Sequence, residues 1–68
     1  RAGGFMNIIK QARERLGMTQ QKLGEAVGLT PKWAQSVVAG WERGERPIPR
    51  ARLKQVADVL KLDIRELI

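Results

Sequence analysis

Apolar positions recur along this chain at helical spacing, and the segment that shows it best is residues 30–43. Placed on a helix at about 100° per residue, Trp33, Ala34, Val37, Val38 and Trp41 fall on one side. Lys32, Ser36, Ala39 and Arg43 fall on the other, with Gln35 and Gly40 flanking the polar side. Thr30 is placed to act as N-cap and Pro31 suits the first helical position, where a missing N–H has no partner anyway. Gly44 closes the helix.

The same periodicity predicts four further helices. Helix 1 spans residues 7–16, with Asn7 as cap, Ile8, Ile9, Ala12 and Leu16 on its apolar stripe, and Gly17 as the stop. Arg13 lies beside that stripe, so its stem is expected in the interior and its head against a carboxylate or a phosphate. Helix 2 is capped by Thr19, runs to about Val27 and buries Leu23, Ala26 and Val27. Gly28 ends it, Leu29 turns inward and Thr30 begins helix 3. So short a joint containing glycine sets two helices at a steep angle, the helix-turn-helix unit. Gly24 in mid-helix costs about 1 kcal/mol relative to alanine, which implies a close crossing there. Helix 4 covers residues 50–60, with Leu53, Val56, Ala57 and Leu60 inward. Asp63 and Glu66 then form a capping pair for a short helix 5 carrying Ile64, Leu67 and Ile68. The fold class is all-α: a compact five-helix domain over residues 6–68. Residues 1–5, RAGGF, precede a methionine and are expected to be a disordered arm or an expression remnant.

The outward side of helix 3 is short of long polar residues. It is small in the middle (Ser36, Ala39, Gly40) with cations at its ends (Lys32, Arg43). Small side chains allow close approach and cations suit an anionic surface, a pair of properties that matches the DNA major groove. An ordinary amphipathic helix is the alternative for this segment taken alone. Its surroundings favour the groove. From residue 43 to 54 there are five cations and one acid, with Pro47 and Pro49 stiffening the loop. That arrangement suits a phosphate clamp; a plain solvated loop is the competing account. Gln20 and Gln21 lie in the first turn of helix 2, where outward N–H groups favour an anion such as phosphate.

Charge and composition narrow the function classes. Thirteen Lys and Arg against seven Asp and Glu give a net charge of +6, which points to an acidic partner. A chain of 68 residues buries only roughly 60% of its unfolded surface, too little for a deep substrate cavity. There is no cysteine and no histidine, so disulfides and the commonest metal ligand are absent, and no cofactor or metal is expected. No apolar run has the length of a membrane span, and a cytoplasmic setting without membrane contact is expected. Glu25 with Lys22, and Asp58 with Lys54 or Lys61, are spaced as solvated helix-surface ion pairs. No nucleophile–base arrangement is visible, so an enzyme is not expected.

Taken together, IKQAR (9–13), GMTQQKLGEAVGLT (17–30), QSVVAGWERGER (35–46) and LKQVADVLKLDIREL (53–67) resemble the Cro/lambda-repressor-like (Xre) helix-turn-helix family over nearly the entire chain. The resemblance implies a transcriptional regulator of bacteria or phage that binds double-stranded DNA as a homodimer; no small-molecule substrate is expected of so small a domain. It implies that Gln20 contacts phosphate at the start of helix 2. Gln35 and Ser36 match base-reading positions, and Arg43, the Gly44 backbone and Arg46 match the phosphate-contacting loop. Arg50 extends that basic surface. Arg13 and Glu42 match a structural ion pair that joins helix 1 to the end of helix 3.

One departure stands out. Pro31, Lys32, Trp33 and Ala34 intervene between the turn and the QSVV segment. Four residues are close to one helical turn of about 3.6, so a longer recognition helix is expected, not a looped-out insertion. Lys32 then joins Gln35, Ser36, Ala39 and Gly40 as a base-facing candidate. Trp33, at the edge of the stripe, is expected in the core, the other possibility being a wedge against the sugar–phosphate wall. A protein-interaction module, such as an antitoxin or an assembly appendage, is the alternative to a DNA-binding regulator.

Overall fold

A computed structural model describes the backbone of residues 2–67 and the side chains of residues 8–67. Four α-helices follow one another: α1 (Ala2–Arg15), α2 (Gln20–Ala26), α3 (Pro31–Arg43) and α4 (Arg50–Leu60), then a single 3₁₀ turn, Ile64–Leu67. No strand occurs among the described residues. The class is the expected all-α one, but the fifth helix is reduced to that turn. Its capping pair is present: the Asp63 N–H donates to Glu66 Oε2 at 3.0 Å, and the Arg65 N–H donates to Asp63 Oδ1 at 2.9 Å. The Arg65 side chain, bonding back to Asp63, holds that carboxyl below its usual range and raises its own guanidinium. Ile68 and Arg1 lie outside the described residues.

Helix α1 begins ahead of Asn7, the expected cap, and Ala2–Phe5 carry helical backbone. At the other end the chain leaves the helix after Arg15, and Leu16, expected inward, is 38% exposed.

The core is built by Ile9 and Ala12 from α1, Leu23 and Val27 at α2, Val38 and Trp41 from α3, Val56, Ala57 and Leu60 from α4, and Leu67 of the final turn. Leu29, Val37 and Leu53 pack against it from partly buried positions. Ala26, expected inside, is exposed. It lies about 100° round the helix from Val27, and Gly24 occupies the inner face instead. A Cβ added to Gly24 would sit 2.5 Å from the Ala34 Cβ and 2.8 Å from both the Ala34 Cα and its carbonyl oxygen. The two helix backbones therefore touch at this crossing.

That contact also explains Trp33. The crossing leaves room for the methyl of Ala34 and nothing thicker, so the helix turns Ala34 inward and its bulky neighbour out. Trp33 is 57% exposed, a correction to the expected core position.

The α2–α3 turn closes by a double hydrogen bond. Gly28 N–H reaches the Glu25 carbonyl at 3.1 Å and Leu29 N–H the Gly24 carbonyl at 2.9 Å, a Schellman arrangement that requires the left-handed φ of 86° found at Gly28. At the end of α4 the same arrangement uses Lys61 at φ 59°, which no glycine announces.

Gly24→Ala should therefore destabilise the fold by about 1–3 kcal/mol, overpacking outweighing alanine's better helix propensity. Urea unfolding of the single variant and of Gly24→Ala/Ala34→Gly checks this. The double variant should lose less than the sum of the two single changes.

Candidate nucleic-acid interface

Three helices meet at a buried charge. The Arg13 guanidinium donates from Nε to Glu42 Oε2 at 2.6 Å and from Nη2 to Glu42 Oε1 at 3.3 Å. Its Nη1 reaches the Met18 carbonyl at 2.8 Å. The two side chains are 10% and 5% exposed. Gln20 Nε2 donates to the same Glu42 Oε1 at 3.0 Å. The cluster thus fastens the end of α1 and the start of α2 to the last turn of α3. Gln20 keeps its second amide hydrogen free at the N-terminus of α2, beside the Thr19 hydroxyl that accepts from Lys22 N–H at 3.0 Å.

Gln21 is differently placed. Its Nε2 donates to Glu25 Oε2 at 2.7 Å and to the Pro31 carbonyl at 2.9 Å. Both amide hydrogens are occupied, so the side chain latches α2 to the first turn of α3 instead of offering a donor to phosphate. Nothing local in the sequence signals a contact ten residues away.

Helix α3 turns Ala34, Val38 and Trp41 inward and leaves Lys32, Gln35, Ser36 and Arg43 exposed, with Ala39 half-buried between them. Gly40 departs from that set. It is buried, and a Cβ there would meet Arg46 Cδ at 2.8 Å and Cγ at 3.0 Å. The stem of Arg46 lies across it and withholds it from a groove. Arg46 otherwise projects into solvent, as do Arg43 and Arg50. Arg43 pairs with Glu45 at 3.2 Å in an exposed contact, of the kind that contributes little and gives way to a stronger anion.

Gly44 adopts φ 76° and its N–H returns to the Trp41 carbonyl at 3.2 Å. The N–H groups of Glu45 and Arg46 both return to the Gly40 carbonyl. Gly44 therefore shapes the loop, and the N–H groups of Gly44, Glu45 and Arg46 are occupied within it. Helix α4 opens with Arg50 and Arg52, and no acid stands in its first turn. Cations are unfavourable at a helix N-terminus, a cost that an incoming anion offsets. Arg52, counted within the basic run, has an internal partner: its Nη1 donates to the Val27 carbonyl at the end of α2.

Among the described residues no three His, Cys, Asp or Glu side chains gather as a metal would require. No described helix is long and apolar enough to cross a membrane.

An exposed, cation-flanked helix held at a short turn against a second helix, with a basic loop behind it, is the arrangement of a DNA-binding helix-turn-helix. The family described as Helix-turn-helix matches residues 9–67, and the chain belongs to that family, in its Cro-like, Xre form. Type II methyltransferase M.SsoII of Shigella sonnei is 46% identical over 50 residues, which cover 74% of this chain and 13% of that protein. The chain thus matches a small part of that curated relative. No solved structure matches it.

Glu42→Ala leaves the Arg13 charge without its carboxylate in a nearly dry site, and should cost about 3–5 kcal/mol of folding stability. Thermal and urea unfolding measure it. Arg15→Ala, at an exposed position on the same helix, should change stability by no more than about 0.5 kcal/mol.

Proposed function

We propose that the chain is a sequence-selective, double-stranded DNA-binding regulator that inserts α3 into the major groove. The observation that carries this is the exposure of Lys32, Gln35, Ser36 and Arg43 along one side of α3. These are the residues a buried helix face would have covered. Gln35 and Ser36 read base edges, Lys32 enters from the added first turn, and Ala39 supplies close approach. Gln20, Arg43, Arg46 and Arg50 grip phosphates on either side, and Gly44 sets the bend that presents them. The domain performs no chemistry of its own. It binds as a homodimer on paired half-sites and represses transcription in the bacterial cytoplasm.

The methyltransferase relative supports a variant of this proposal, in which such a domain forms part of a larger protein. There the helix-turn-helix gives the whole chain a DNA address.

Selection of bound sites from a random duplex pool identifies the preferred sequence and the half-site spacing. On that site Gln35→Ala should cost roughly 1–3 kcal/mol and little on random DNA. Arg46→Gln, which keeps the stem over Gly40, should weaken both DNAs alike and flatten the salt dependence by about one phosphate contact. Equal losses for both variants on both DNAs would refute this division between reading and gripping.

A further inference from the structure

The first turn of α3 carries a surface that hydrogen bonds to bases do not use. A lone exposed hydrophobe is ordinary, but Trp33, at 57% exposure, is not alone. The Lys32 ammonium lies over the ring, 5.3 Å from its centroid, an electrostatically favourable position, and more than half of the indole residue still faces solvent. Exposed Pro31 adjoins the pair. This turn is also held firmly. Gln21 bonds to the Pro31 carbonyl at 2.9 Å, and Ala34 is wedged against Gly24. The ring is therefore carried on a fixed element.

An ammonium beside a bare aromatic surface complements a partner in which an anion adjoins an apolar group. In the major groove the apolar group is the C5-methyl of thymine, which stands close to a phosphate of its own strand. A methylated cytosine presents the same group. The remaining polar base readers on the outer side of α3 are few, Gln35 and Ser36 being its uncharged hydrogen-bonding side chains. Apolar contacts are what this helix has to add.

We infer that Trp33 recognises a pyrimidine C5-methyl group in the bound site, with Lys32 taking the adjoining phosphate. The inference rests on the DNA-binding function proposed above and adds a specificity residue in the turn ahead of Gln35.

The test uses the selected duplex with each thymine replaced in turn by deoxyuridine and each cytosine by 5-methylcytosine. Wild type, Trp33→Ala, Trp33→Phe, Lys32→Ala and Gln35→Ala are titrated against the series, with circular dichroism confirming that each is folded. Loss of one recognised methyl should weaken the wild type about four-fold, the worth of one buried methylene-sized group. That penalty should vanish in Trp33→Ala, persist in Gln35→Ala and shrink in Trp33→Phe, while Lys32→Ala weakens every duplex alike. A gain at 5-methylcytosine with no penalty at deoxyuridine, abolished by Trp33→Ala and reduced by Trp33→Phe, assigns the methyl to a modified cytosine instead of thymine. Identical responses of wild type and both Trp33 variants across the series, with steep salt dependence retained, overturn the inference and leave DNA binding intact. Absence of binding to any duplex at about 50 mM salt overturns both.

Discussion

The structure depends on one place where two backbones touch. At Gly24 and Ala34 helices α2 and α3 approach so closely that a single added methyl has no room. Such contact fixes the crossing by repulsion as well as attraction, since a packed interior resists small volume changes. Every side chain on the outer side of α3 is oriented from this point. The Arg13–Glu42–Gln20 cluster fixes the far end of the same helix. Two anchors, about two helical turns apart, leave α3 little freedom to tilt.

The anchors differ in kind. The glycine crossing is apolar and indifferent to salt, whereas the ion pair holds charge in a site where water is nearly excluded. Buried pairs of this sort are weak sources of net stability but strict about geometry, because a misplaced partner leaves a bare charge. The polar cluster thus acts mainly as a register device. It includes the Gln20 amide, so the first residue of α2 is oriented by the same carboxylate that completes the fold.

Much of this was legible in the sequence, and for identifiable reasons. The elements α2, α3 and α4 followed from periodicity and from caps at Thr19, Pro31 and Gly44, all of them local signals. The close approach at Gly24 was legible because glycine in a helix is costly without a reason. Trp33 was not, since periodicity gives its angle but not the thickness available at the crossing. Gly40 was read as groove-facing because nothing in its own helix foretells the Arg46 stem laid over it. The inward bonds of Gln21 and Arg52 were hidden for the same cause: they join residues ten and twenty-five positions apart. The pattern shows which side chains are free to face outward; only the folded chain shows which are already occupied.

The two tryptophans have a consequence of their own. Trp41 is sealed in the interior at 2% exposure, while Trp33 stands mostly in water beside an ammonium. Their indoles therefore emit from dielectric surroundings at opposite extremes, the buried one at shorter wavelength. An aqueous quencher such as iodide reaches the outer ring and spares the inner one. The native chain thus carries two optical probes, one reporting the integrity of its interior and the other whatever approaches the front of α3.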